Sequence, residues 1–242
     1  MKQLVSNVLA LLCLVQVSMA QDMMVINDPN AELRKTEGFH GIRGSSGIDI
    51  IIKQGTEQAV VVSAAELKVR DRIRTEVKEG ILRIWYDYEG LKVNWKENKR
   101  LKAYISVTNL DLLHMSGACD VKIDGLLKGD RLVLELSGAS SLKGQLVYNT
   151  VRVEQSGAAD CNLSGKVTDL IVSASGASDF KGFELVADNC QAEASGASDI
   201  KITVNKDLKV QASGASDVDY RGTAVISSFS SSGASSVRKR SR

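Results

Sequence analysis

Residues Ser195–Gly222 read SGASDIKITVNKDLKVQASGASDVDYRG, and the five-residue word Ser-Gly-Ala-Ser-Asp stands in them twice. The word is too small and polar to build a core. It is also too regular to be a linker. Its first three letters recur along the chain, starting at Ser116, Ser137, Ser156, Ser175, Ser195, Ser213 and Ser232, at spacings of 21, 19, 19, 20, 18 and 19. Helical repeats run to about 33 residues or more. A period near 19 fits one coil of a parallel β-solenoid.

The residues between the words agree. Counted from each serine, the fifth residue before it is Leu132, Val151, Leu170, Cys190 or Leu208, and the third before is Leu134, Val153, Val172, Ala192 or Val210. The fifth after is Val121, Leu142, Cys161, Phe180, Ile200, Val218 or Val237. Even offsets carry Glu135, Arg152, Glu154, Gln191, Glu193, Lys209 and Gln211. Alternation with period two marks strands with one buried face. Both flanks of the word are therefore strand. Stacking would place equal offsets ~4.8 Å apart in apolar ladders. The word itself reads as a coil corner. Its glycine tolerates positive φ and close backbone approach, and its Ser and Asp can bond local backbone.

Residues 39–115 lack the short period but alternate as clearly. Strands are expected at Gly47–Ile52, Ala59–Val62, Arg72–Val77, Ile81–Tyr86, Leu101–Val107 and Leu110–Met115, with a turn at Glu79-Gly80. No helix stands out. The expected fold is all-β: a parallel β-solenoid, right-handed by the crossover rule. Its coils are about 19 residues in the C-terminal half. Wider coils or a capping sandwich would form the N-terminal half.

The chain divides into a leader (1–20), a lead-in (21–38), an N-terminal β region (39–115), the repeat solenoid (116–237) and a basic tail (238–242). Lys2, the apolar run to Val17 and Ser18-Met19-Ala20 form a signal-peptide pattern, too short to span a bilayer. Leu12 before Cys13 argues against a lipid anchor, which needs a small residue there. The expected location is the periplasm or surface of a Gram-negative-type bacterium. No transmembrane segment is expected in the mature chain. A net charge of +2 gives no steering toward nucleic acid.

The stretches DPNAELRKTEGFHGIRGSSGIDIIIKQG (Asp28–Gly55) and TEVKEGILRI (Thr75–Ile84), followed by the Ser-Gly-Ala series, resemble the family "putative auto-transporter adhesin, head GIN domain" over about residues 28–237. The resemblance implies an exported all-β solenoid with an adhesive role and brings no catalytic residues. No membrane barrel follows the repeats, so a complete auto-transporter is not expected.

Enzyme signatures are sparse. His40 and His114 are the two histidines, and no zinc, phosphate-loop or nucleophile-elbow motif is present. His114 falls at an outward offset and is expected in solvent. Three features compete as sites. The aspartates four residues after the serine, Asp160, Asp179, Asp199 and Asp217, recur in four consecutive coils and offer oxygen ligands to Ca²⁺. The alternative is that each caps its own turn, beside a basic row of Lys122, Lys143, Lys181, Lys201 and Arg238. No other cofactor is indicated. The second feature is WYDYEGLKVNW (Trp85–Trp95). There Arg83, Trp85 and Asp87 share the outer face of a strand and, with Trp95, form a candidate patch for a cell-surface glycan or protein. The alternative is a loop tucked against the solenoid mouth. The third is the tail Val237–Arg242, expected to fray.

Cys119, Cys161 and Cys190 all take inward offsets and no two are ladder neighbours, so buried free thiols are expected. The functional expectation is a non-enzymatic envelope protein that presents a binding surface. The alternatives are a polysaccharide-active β-helix enzyme and a structural or sensory envelope module.

Overall fold

The computed structural model describes Ile26 and residues 28–90 and 99–241; the expected leader lies outside these residues. The first half runs β1 (Glu32–Arg34), β2 (Gly41–Gly44), β3 (Asp49–Gln54), β4 (Ala59–Ser63), α1 (Leu67–Arg70), β5 (Ile73–Lys78), β6 (Ile81–Tyr86), β7 (Lys102–Val107) and β8 (Leu112–Met115). The second half runs β9 (Asp120–Leu136), β10 (Ser141–Gln155), β11 (Asp160–Ala174), β12 (Asp179–Ala194), β13 (Asp199–Ala212), β14 (Asp217–Arg221), β15 (Val225–Ser231) and β16 (Ser236–Lys239).

Each of β9 to β13 is one whole coil, parallel to the next and in register on both flanks of the corner, with bulges after Lys143, Asn162, Gly182 and Ala187. Within β11 the buried residues are Cys161 and Leu163, then Val167, then Leu170, Val172 and Ala174. The inward column skips Gly165, whose φ is +116°, and the alternation changes phase once, between Val167 and Leu170. The Ser-Gly-Ala word makes the corner between one coil and the next. Leu132, Val151, Leu170, Cys190 and Leu208 stack as the ladder that the sequence predicts, none more than 4% exposed. Burial of such side chains contributes roughly 25 cal/mol per Å².

The corner is held in two ways. Backbone bonding does not stop there: the alanine N–H of each word donates to the glycine carbonyl of the coil before, at 2.7–2.8 Å from Ala139 to Ala234. Each glycine therefore lies directly over another. Gly176 has φ +74°, and a Cβ on it would sit 2.6 Å from the Gly157 carbonyl oxygen. The second tie is the fourth residue of the word. Ser140, Ser178, Ser198 and Ser216 are buried, and their hydroxyls donate to the carbonyl of the first serine of the same word at 2.7–2.9 Å. Ser198 and Ser216 also reach the preceding coil, at Ala174 O (3.1 Å) and Ala194 O (3.2 Å). The turn is thus capped by this serine. Of the aspartates that follow, for which turn-capping and Ca²⁺ binding are the alternative expectations, Asp160 and Asp217 bond to the next coil.

The N-terminal half continues the stack, and antiparallel strands of the same sheet, not a separate sandwich, cap it. β8 and β3 stack in parallel on β9, and β6 and β7 extend this parallel stack through β2 and β3. Antiparallel strands then close the end: β5 on β6 through the Glu79-Gly80 turn, and β4 on β7 with β1 outside it. Reversing the chain in this way ends the repeat. One helical turn, α1, links β4 to β5 where no helix is expected; none of its residues is buried.

The tail differs from the frayed terminus expected. Ser236–Lys239 forms β16 on β14, because Arg238 and Arg240 bind Asp219 at 3.2 and 3.0 Å and Arg238 also binds Asp217 at 2.6 Å. The three described cysteines are free and buried as expected. Desolvation raises all three thiols, Cys190 to about 12. The glycine stack predicts that Gly176→Ala lowers stability by about 1–3 kcal/mol in denaturant unfolding, from strain and lost backbone bonding. Ser198→Ala is expected to cost about 1 kcal/mol, since Ala159 already fills the same position one coil pair earlier.

Candidate functional site

The outer side of the strand that enters each corner carries two polar rows. The first begins with the leading serine of each word. The N–H of Ser116 bonds Gly44 O, and those of Ser137, Ser156, Ser175, Ser195 and Ser213 continue the ladder at 2.9–3.1 Å. Two residues earlier lies the second row, in register: Arg43, His114, Glu135, Glu154, Ser173, Glu193 and Gln211. Small serines beside longer Glu and Arg side chains leave a groove of about 550 Å³ between His114 and Ser213.

The groove is wired internally. His114 Nδ1 lies 2.5 Å from Glu135 Oε2, so this histidine pairs across coils instead of standing free in solvent. Arg152 Nε donates to Glu154 Oε1 at 2.5 Å, and Gln191 Nε2 to Glu193 Oε1 at 2.8 Å. Each bond holds a carboxylate at a fixed height and offsets the repulsion that stacked acids would feel.

Part of the aromatic patch joins this face. β6 stacks on β2 with Arg83 opposite Arg43 and Ile84 opposite Gly44, and Ser45 N–H bonds Ile84 O at 3.1 Å. Trp85 therefore stands beside Ser45, at the head of the serine row. A hollow of about 290 Å³ there is lined by Arg43, Ser45, Arg83, Trp85, His114 and Ser116, and it adjoins the groove at His114. Trp85 is half-buried while Tyr86, on the other face, is in the core. Tyr88 packs edge-on against Tyr86 at 4.8 Å, with Lys99 Nζ 4.9–5.0 Å from both rings. Asp87 is not in the hollow. Arg74 holds it at 2.9 and 3.2 Å and Glu89 N–H at 3.0 Å, and that backbone bond, then Arg74, lowers its pKa. Trp95 lies outside the described residues.

The aspartate column lies on the far side of each corner. Asp160, Asp179, Asp199 and Asp217 are in register, flanked by Asp120 and Ser141 above and Ser236 below. Asp160 and Asp217 are bound from the next coil, and Asp179 by Lys181 of its own coil. Lys181 binds Asp160 at 2.7 Å and Asp179 at 3.5 Å, Arg238 binds Asp217, and the hydroxyls of Ser141 and Ser236 bond Asp120 and Asp217. Among the described residues no three His, Cys, Asp or Glu side chains converge to hold a metal ion. The sequence pattern shows the column and its basic companion row. It does not show the groove, because the groove arises from serine size and from the β2–β6 stacking that brings Trp85 alongside.

A coil-built rod with one long polar groove, an indole at its head and ion-paired carboxylates within it defines a β-solenoid that presents an extended surface. The chain belongs to the family described as "Putative auto-transporter adhesin, head GIN domain", whose model matches residues 38–224. The fold recurs in solved structures. A putative adhesin from Bacteroides fragilis NCTC 9343 superposes with TM-score 0.81 at 22% identity, over 87% of this chain and 96% of that one. A putative adhesin from Parabacteroides merdae ATCC 43184 gives 0.68 at 16% identity, over 88% and 96%. A putative lipid binding protein from Parabacteroides distasonis ATCC 8503 gives 0.67 at 18%, over 89% and 98%. At these identities the likeness speaks for the fold alone. No curated protein matches the chain. No helix among the described residues is long and apolar enough to cross a membrane.

Two tests follow from the aspartate column. With Lys181 and Arg238 occupying its oxygens, added Ca²⁺ is expected to leave the thermal midpoint unchanged; a midpoint that climbs with Ca²⁺ would show that the column binds the ion. Asp217 has its pKa lowered below 3.8, first by the Ser236 hydroxyl and then by Arg238. Its stabilising effect is complete above 3.8 and lost as pH falls through the lower folded value. Asp217→Asn is therefore expected to destabilise at neutral pH, and the gap from wild type should close in strong acid, read by urea unfolding at both pH values.

Proposed function

We propose that the chain is exported and acts as an adhesin-type binding protein, holding an extended cell-surface glycan along the groove from Trp85 to Ser213. The observation that carries this reading is the junction at His114, where the tryptophan hollow runs into the serine groove. An indole offers an apolar face to a sugar ring. Beyond it, serine hydroxyls, amides and carboxylates at a regular rise match a polymer of hydroxyl-bearing units. The family to which the chain belongs supports adhesion, and the signal-peptide pattern over 1–20 supports export. Binding is favoured over chain cleavage because Glu135 and Glu154 are each held by a neighbouring side chain, His114 and Arg152. Neither stands as a free acid or base.

A glycan array probed with the mature chain, followed by titration of the best hit, tests this. Trp85→Ala is expected to weaken binding at least about tenfold, the effect of losing an aromatic anchor. Ser173→Trp, which fills the groove from an outward position, should abolish it. Wild-type affinity in both variants, or no glycan bound at all, removes the proposal. Shortening of the bound glycan during incubation would favour the enzyme reading. Cell fractionation with surface proteolysis locates the protein.

A further inference from the structure

The two ends of the solenoid are finished differently. At the N-terminal end the outer strands are antiparallel and charged: β1 carries Glu32 and Arg34, and β5 carries Arg74, Glu76 and Lys78. Charges on an edge strand discourage pairing with another chain. At the C-terminal end, β15 pairs only with β13, and β16 only with β14, among the described residues. β15, reading VISSFSS, has no charge and no proline. The ladders stop abruptly there. Val210 is 3% exposed, while Phe229, stacked beneath it, is 59% exposed, and Val225 is 70% exposed. Ile226 and Val237 close the remaining ladders and are only partly covered.

We propose that this end is the contact through which two copies of the chain pair about a twofold axis, β15 against β15. Charge favours a second copy of the same end. In a twofold contact every group meets its own twin, so an unpaired charge would face like charge. At this end β15 is neutral, Arg238 and Arg240 are turned back onto Asp217 and Asp219 of their own molecule, and Lys239 Nζ lies 5.9 Å over the Tyr220 ring of its own molecule. A head-to-tail contact would instead bring the neutral edge onto charged antiparallel strands, and its repetition would build filaments. Pairing the two neutral edges covers Phe229 and Ile226 on both copies, satisfies the free backbone groups and closes the assembly at two. Each dimer then carries two grooves, which raises avidity for a repetitive surface without a new contact.

Sedimentation equilibrium over a wide range of concentration tests the contact directly. The wild-type chain is expected to sediment as a dimer and Phe229→Glu as a monomer, with Val147→Glu, at an exposed apolar residue on another coil, remaining dimeric. Should F229E fail to fold, Ser227→Cys and Ser228→Cys supply a second reading. Near a twofold axis one of them should form an intermolecular disulfide in the otherwise native chain, and Glu76→Cys on β5 should form none. A wild type that remains monomeric at every concentration overturns the proposal. So does a dimer that survives F229E, or cross-linking no stronger at β15 than at Glu76.

Discussion

The structure depends on the contact between one corner glycine and the next. At that point the chain turns sharply without leaving the hydrogen-bond ladder, because the backbone of one coil rests on the backbone of the coil before. No side chain fits between them. The contact sets the height of each coil, and with it the register of every ladder in the protein. The leucines, valines and cysteines of the core stack because the glycines above them do. The buried serine that closes four of the corners (Ser140, Ser178, Ser198 and Ser216) adds a local bond and, at Ser198 and Ser216, a second bond to the preceding coil. Bonding both ways matters because a hydroxyl buried without a partner would cost about 1–3 kcal/mol.

Strict register has a cost on the outside. Equal offsets carry equal residues, so acids stack over acids and bases over bases. The chain offsets this in two ways. Past the corner, the basic row binds diagonally to the aspartate column, Lys181 reaching to Asp160 and Arg238 to Asp217. Before the corner, the glutamates are interrupted by Ser173 and bound by His114 and Arg152. The first device gives a neutralised, crowded surface. The second leaves space, and the groove is that space. The two faces flank the same corner and have different uses because their side chains differ in length.

The ends show what a repeat cannot supply for itself. An identical coil always leaves an identical open edge. The N-terminal half escapes by abandoning the repeat: Glu79-Gly80 reverses the chain and β5 runs antiparallel, with charged residues on its outer side. The C-terminal end continues the repeat to the last described strand and leaves Phe229 uncovered. Arg238 and Arg240 are used inward, on the aspartates of the previous coil, and Lys239 lies over the Tyr220 ring. This asymmetry between the ends is as much a property of the fold as the ladders are.

Read alone, the spacing of the Ser-Gly-Ala words fixes the solenoid, the coil length and the inward columns, including the buried positions of Cys119, Cys161 and Cys190. Those follow from local rules, since alternation and corner chemistry act within one coil and the period then repeats them. The turn at Glu79-Gly80 is legible for the same reason. The partners of Asp160, Asp217 and His114 are not legible, because they come from residues one coil away, chosen by side-chain reach. The order of the tail is not legible either, because its ion pairs with Asp217 and Asp219 form only once β16 stacks on β14. The groove is the clearest case. Trp85 and Ser213 are far apart in sequence, and only the parallel stacking of β6, β2, β8 and the coils beyond puts them on one surface.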